Sequence, residues 1–198
     1  MRSVAPEPFA AEEQALDADS RLVALAREDP TAFAELYRRY LSLVYAYCWR
    51  RLGSREAAED ATSQIFVKAL VALPQYRGDR SFRSWLFAIA HNEVVDHYRA
   101  QRPSRPLEDA SQISDRTESP EDLGILAADG AALRAMLSCL TPDQAQIIEL
   151  RLAGLSETEI AQVLNRRPGA IRATQFRALG RLRVLLGVPS AQGGDAHV

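Results

Sequence analysis

The stretch that most restricts the fold runs over residues 155–186, LSETEIAQVLNRRPGAIRATQFRALGRLRVLL, whose local signals spell two helices joined by a very short turn. Ser156 can cap the first helix while Glu159, three residues on, reaches back to the cap, a capping box. Ile160, Val163 and Leu164 give that helix one apolar face. Asn165 tolerates the left-handed conformation that closes it, and Pro168 fits the first turn of the next, where no amide bond is lost.

In the second helix Ile171, Ala178, Leu182 and Leu185 recur near the helical period, so they face inward. The other side carries Arg172, Ala173, Phe176 and Arg177. Between Arg151 and Arg183 there are seven arginines against Glu157 and Glu159, although the chain as a whole has a net charge of -2. A locally basic helix-turn-helix suits duplex DNA, with arginines on phosphates and the first half of the second helix on base edges. Arg167, Arg172, Ala173, Phe176 and Arg177 are the candidates; Ala173 and Phe176 suit a thymine methyl. The competing reading is a helical hairpin with a solvated arginine face.

The rest of the chain predicts an all-α protein of two small helical domains joined by a flexible linker. Residues 1–20, with two prolines and the acids Glu7, Glu12, Glu13, Asp17 and Asp19, read as a loose tail. A first domain spans 21–100. It opens with a short helix near Arg21 to Arg27, and Asp29 and Pro30 then start a longer one with the stripe Phe33, Leu36, Tyr37, Tyr40, Val44, Tyr47 and Cys48. Gly53 ends it and Ser54 caps the next, whose stripe is Ala58, Ala61, Ile65, Phe66, Ala69 and Leu73, stopped by Pro74. Another helix follows from Ser81 to about Arg99, burying Trp85, Leu86, Ile89, one of Val94 and Val95, and Tyr98.

Between these lies YRGDRSFR, residues 76–83, rich in arginine and bracketed by aromatics. Such a loop suits single-stranded nucleic acid, whose bases stack on rings while arginines follow the backbone. Equally, Tyr76, Phe82 and Trp85 can be the aromatics that anchor the loop to the core.

Residues 101–122 hold Pro103, Pro106 and Pro120 and mostly acidic charges, which marks a linker. The second domain spans 123–186, with apolar positions Leu123, Leu126, Ala127, Leu133, Met136, Leu137 and Leu140. Thr141, Pro142 and Gln144 then start a helix with Ile147, Ile148, Leu150 and Leu152 inside. Gly154 ends it. Residues 187–198 read as a disordered tail.

Other function classes find little support. Cys48 and Cys139 have no ligand-spaced neighbours and read as small apolar residues packed in helices, and His91, His97 and His197 form no cluster. There is no phosphate loop, dinucleotide fingerprint or nucleophile elbow, so no catalytic residue, metal or cofactor is expected. No apolar run is long enough to span a membrane, and the N-terminus lacks a signal-peptide pattern, so the expected location is cytoplasmic.

Three blocks together resemble bacterial RNA polymerase sigma factors of the extracytoplasmic-function type, over nearly everything from Asp29 to Leu186. The block DPTAFAELYRRYLSLVYAYCWRRLGSREAAEDATSQIFVKAL resembles the opening of region 2, whose second helix docks on the clamp of the β′ subunit. The resemblance assigns core-polymerase binding to Asp60, Gln64, Phe66 and Lys68, with Ser63 and Gln64 standing where the family often has Gln-Glu. The block YRGDRSFRSWLFAIAHNEVVDHYR resembles the part of region 2 that captures the melted minus-10 strand, and points to Tyr76, Arg77, Arg80, Phe82, Arg83, Trp85, Asn92 and Arg99. The last block, from Leu140 to Arg183, resembles region 4, which reads the minus-35 duplex; Thr174 and Leu179 stand where many members have Arg, and Gln175 where leucine is usual.

What the resemblance implies is a non-catalytic initiation subunit that needs no cofactor. Its partners would be core RNA polymerase, through the β′ clamp and the β flap, and promoter DNA. An inhibitory anti-sigma factor is a further partner the resemblance allows, with no residue assigned to it and no membrane insertion. The rival readings are a dimeric regulator on a palindromic operator, which gives no reason for the 76–83 loop, and a pure protein-interaction module, which gives none for the clustered arginines.

Overall fold

The computed structural model describes residues 19–101 and 133–187, and every regular element among them is helical. Gln101, the first residue of the linker expected over 101–122, is helical; the rest of that linker, the apolar positions Leu123, Leu126 and Ala127, and nearly all of both expected tails lie outside the described residues.

The first helix, α1, covers 19–28 and so includes the last two residues assigned to the N-terminal tail. Asp19 is buried there, accepting from the Tyr40 hydroxyl and, at 2.6 Å, from Arg39. Asp29 then caps a 3-10 turn, Pro30–Ala32, by accepting from Thr31 N at 2.9 Å, and that turn leads into α2, Phe33–Leu52. The α2 stripe is buried as its spacing requires, except Tyr37, which sits at the rim with its ring edge-on to Phe66.

Gly53 turns the chain with a φ of 71°, and Ser54 caps α3, Arg55–Ala72. Pro74 marks the end of this helix as expected: α3 stops at Ala72 and the chain tightens into a 3-10 segment, Leu73–Gln75, around the proline. The next helix, α4, spans Phe82–Gln101 and buries Phe82, Leu86, Phe87, Ala90 and Val94. Trp85 and Ile89 are only half-buried, and Tyr98 is exposed, its hydroxyl donating to Arg51 O.

The second half comprises α5 (133–138), α6 (Pro142–Leu152), α7 (Glu157–Leu164) and α8 (Pro168–Leu185). Its local punctuation follows the sequence closely. Both capping boxes form, Thr141 with Gln144 and Ser156 with Glu159, and Asn165 takes the left-handed conformation at φ 51°. Leu137, Leu140, Ile148 and Ala178 make a small core of their own.

Three apolar positions expected inside are outside. Leu152 ends α6 two residues after the buried Leu150, about 200° round the helix, and so points away from it. Leu185 lies in the last turn of α8, past the ends of the helices that cover Ala178. Cys139 sits in the turn after α5, exposed, so only Cys48 packs as a core residue.

The two halves are not separate bodies. Ile147, Leu150, Leu155, Ile160 and Ile171 of the second half belong to one continuous apolar cluster with Tyr47, Phe87 and Val94 of the first. Helix α7 lies along α4, so the helix-turn-helix is seated on the bundle that carries the 76–83 loop.

Candidate nucleic-acid interface

The loop before α4 is shaped from within. Gly78 adopts a φ of 74°, a conformation that a side chain strains, while the space around it is open, so backbone geometry and not crowding calls for glycine. Tyr76 folds back and donates its hydroxyl to Arg80 O. Its ring meets Phe82 at 6.2 Å and Trp85 at 5.1 Å, with the Arg27 guanidinium 5.8 Å above it. Burial pushes the Tyr76 hydroxyl pKa up, so it remains a donor. Phe82 goes further in, against Tyr40 at 5.5 Å, and is a core residue with no face left for a base. The aromatics therefore anchor the loop, and Trp85 alone among Tyr76, Phe82 and Trp85 keeps substantial exposure.

Around that anchor the polar groups spread outward. Arg77 is exposed, and Arg80 lies 3.9 Å from Asp79. Trp85, Asn92 and Arg99 are seven residues apart in turn, which places them on one stripe of α4 about 21 Å long. Asn92 and Arg99 are exposed, Arg99 beside Asp96 at 3.4 Å. Between α1 and the loop is a cleft of about 320 Å³ lined by Ser20, Val23, Arg27, Tyr76, Arg80 and Phe82, among others. Its contribution from α1 was not legible in the sequence, since α1 lies some fifty residues before the loop. Arg83 does not join this surface: it turns to the second half and donates to Gly154 O at 2.8 Å.

On α3, Asp60, Gln64 and Lys68 fall at successive fourth positions and are all exposed. Lys68 is held by Glu93 of α4. Phe66 is not on this face; it is 5% exposed, packed on Phe33 and Tyr37, because it belongs to the inward stripe of the same helix. The exposed apolar groups there are Val67, Leu70 and Val71, with Val71 at 73%. Positions 60, 64, 67 and 71 trace one helical face, a pattern that could have identified the two valines from the sequence.

The helix-turn-helix presents its second helix to solvent. No side chain caps the start of α8; Pro168 has no amide hydrogen to cap, and the Ala170 and Ile171 amides donate back to Arg167 O at 2.9 and 3.3 Å. Arg167, Arg172, Ala173, Phe176 and Arg177 are all exposed, Phe176 at 76%. Arg172 is paired with Glu157 at 3.0 Å and Arg177 donates to Thr174 Oγ1 at 2.9 Å, while Thr174 itself is buried beneath. Arg166 is committed elsewhere, to Asp143 at 2.7 Å, and its hydrogen bond, reinforced by its charge, holds the Asp143 carboxyl below the usual carboxylate range.

These features define a two-part helical protein of the nucleic-acid-binding class, with a helix-turn-helix in one part and an aromatic, arginine-bearing loop in the other. The sigma-70 region 2 family matches residues 36–104, and sigma-70 region 4 matches residues 130–182. The chain is 36% identical over 185 residues to the ECF RNA polymerase sigma factor BldN of Streptomyces coelicolor, covering 87% of this chain and 69% of that protein. It is 34% identical to the ECF RNA polymerase sigma factor ShbA of Streptomyces griseus, covering 79% and 88%. Among solved structures it is similar to CnrH in complex with the cytosolic domain of CnrY, with a TM-score of 0.66 and 28% identity over 87% of this chain and 99% of that one. The same fold occurs in the sigma factor RpoE in complex with the anti-sigma factor NepR from Bartonella quintana, with a TM-score of 0.59, 23% identity and coverage of 79% and 97%. The chain belongs to the extracytoplasmic-function sigma factors, the family of RNA polymerase initiation subunits. No helix among the described residues is long and apolar enough to cross a membrane.

Proposed function

We propose that this sigma factor reads a promoter at two places and docks on core polymerase at a third. The exposed side of α8 reads the minus-35 duplex, with Arg167, Arg172 and Arg177 on phosphates and base edges and Ala173 and Phe176 against thymine methyls. The surface formed by Arg77, Arg80, Trp85, Asn92 and Arg99, backed by Tyr76 and Phe82, takes the melted minus-10 strand, and the cleft beside Arg27 is roomy enough for an unstacked base. Capturing that base offsets the few kcal/mol lost on unpairing it, which couples opening to recognition. Asp60, Gln64 and Lys68, together with Val67 and Val71, form the face for the β′ clamp, with Phe66 supporting it from below. The β flap is the further polymerase contact of region 4, and an anti-sigma factor is a further partner, the kind of protein to which RpoE is bound in its complex with NepR. The polymerase supplies the chemistry, and the sigma subunit positions it in the cytoplasm.

The observation that carries this reading is the pairing, in one chain, of an exposed basic recognition helix with an arginine-bearing loop whose aromatics hold it rigid. The test is gel filtration of the full chain with bacterial core polymerase, followed by transcription from a randomised template library. Co-elution and enrichment of templates sharing two separated elements is the expected result. Elution apart from polymerase at every salt concentration, or enrichment of palindromes without polymerase, overturns it.

A further inference from the structure

We infer that Arg27 of α1 reads the base captured in the cleft, selecting the keto bases guanine and thymine over adenine and cytosine, which carry an amino group at the corresponding ring position. This deepens the strand-capture role proposed above and rests on it.

The helix that carries Arg27 is a fixed wall. Asp19 at its head is buried and accepts from the Tyr40 hydroxyl and from Arg39, which pins α1 to α2, and Val23 and Ala26 enter the core. Ser20, Ala24 and Arg27 follow one another at steps of four and three, so they share a face, and all three line the cleft. The first two are small, which leaves the wall open as far as the arginine. The Arg27 guanidinium is placed from two sides: Nε donates to Leu73 O at 3.4 Å, and Cζ stands 5.8 Å from the centre of the Tyr76 ring. Its terminal nitrogens, Nη1 and Nη2, keep no hydrogen-bond partner among the described residues and present a fork of donors.

The polar lining of the cleft is one-sided. No carboxylate or amide side chain is part of it. The Tyr76 hydroxyl donates to Arg80 O and the Ser81 hydroxyl to Glu159, so both protons are spent. Of the nearby acids, Asp19 is taken by Tyr40 and Arg39, and Asp79 stands 3.9 Å from Arg80. The charged side chains lining the cleft are therefore Arg27 and Arg80, donors with no acceptor, and the Asp79 carboxylate beside Arg80 leaves Arg27 as the reader. A guanidinium fork pairs with O6 and N7 of guanine and can donate to O4 of thymine. Adenine and cytosine set an N–H donor at that place, and two facing donors, cut off from water, leave each other unsatisfied. The cleft holds about 320 Å³, the lower end of the roughly 300–1,000 Å³ of small-molecule pockets, which suits one base and not two.

The experiment uses polymerase holoenzyme assembled with the full chain, wild type or carrying Arg27→Ala, Arg27→Gln or Arg38→Gln. Arg38 is an exposed α2 residue that does not line the cleft, so its variant controls for the lost charge. Each holoenzyme selects from fork templates whose non-template strand is unpaired and randomised across the minus-10 region, and sequencing of the bound fraction reads the base preference at every position. The expected result is one position where wild type enriches guanine or thymine over adenine and cytosine by about fivefold or more. Guanine alone marks the bidentate pair, and thymine the single carbonyl contact. Arg27→Ala flattens that position and no other, Arg38→Gln leaves it intact, and Arg27→Gln, whose amide can pair with N6 and N7 of adenine, admits adenine there. Arg27→Gln that flattens the position without admitting adenine reduces Arg27 to a prop of the cleft and overturns its reading role. Adenine or cytosine at the position Arg27 controls, or minus-10 preferences unchanged in both Arg27 variants, overturns the inference while the strand-reading role stands. A wild type with no preference at any unpaired position removes that role and this inference with it.

Discussion

Arg51 of α2 donates to Glu149 of α6 at 3.0 Å, joining residues 98 apart in sequence, and the Glu149 side chain is only 5% exposed. Burial drives the Glu149 carboxyl pKa up, against the pull of Arg51 and Arg50. Removing one partner leaves a buried charge alone, and such changes cost about 3–5 kcal/mol. Glu149→Leu should therefore lower the denaturant midpoint sharply, while Arg51→Met with Glu149→Leu should recover most of the loss. Chemical denaturation of the two single variants and the double variant measures the coupling.

His91 of α4 faces the same joint, with Gln146 Nε2 3.0 Å from its Nδ1. Burial first, and Arg51 second, hold its pKa below the usual 6.5. The folded protein thus resists protonation there more than the unfolded chain does. Its contribution to stability is complete above about pH 6.5 and is lost as the pH falls through the window below, by at most about 1.4 kcal/mol per pH unit. Urea midpoints at pH 7.5 and 5.5 should fall further for wild type than for His91→Gln.

On α3, inward and outward positions give opposite signatures. Phe66→Ala opens a cavity beside Phe33 and Tyr37 and should cost about 3–5 kcal/mol of stability. Val67→Glu and Val71→Glu are solvent-facing and should leave the thermal midpoint nearly unchanged while weakening core-polymerase binding at least tenfold, about 1.4 kcal/mol. Calorimetry and a polymerase pull-down titration separate the two effects.

The contrast at Phe66 shows what the sequence could and could not reveal. Caps and turns were legible because each is decided within four residues: Ser156 with Glu159, Thr141 with Gln144, Asn165 at its own φ. Helical stripes were legible for the same reason, down to Ile65 and Val44. The failures are all matters of what lies opposite. Leu185 satisfies the periodicity but falls in the last turn of α8, Tyr37 satisfies it but sits at the rim against Phe66, and Phe66 satisfies an aromatic motif as well as the inward stripe in which it packs. Arg83 looked like a free phosphate ligand, and the carbonyl that holds it is 71 residues away. Nothing local announces that α7 packs on α4, because its acceptors Glu159 and Gln162 read equally well as a cap and a solvated side chain.

The last prediction concerns the recognition helix, where the two arginines are held differently. Arg172 is tied to Glu157, an acid on the helix before it, whereas Arg177 is steadied by the neutral hydroxyl of Thr174. DNA must displace Glu157 from Arg172, a cost that offsets part of each phosphate contact made there, while Arg177 is held by Thr174 and feels the Asp143 carboxylate only at longer range. Arg177→Ala in polymerase holoenzyme should therefore weaken promoter binding more than Arg172→Ala, and each should reduce the slope of log affinity against log salt by about one. Glu157→Gln should act in the opposite direction, tightening duplex binding by freeing Arg172. Promoter affinity measured across a salt series for the three variants decides the order; equal losses at Arg172 and Arg177, with no gain from Glu157→Gln, would show that the Glu157 pair imposes no restraint on the reader.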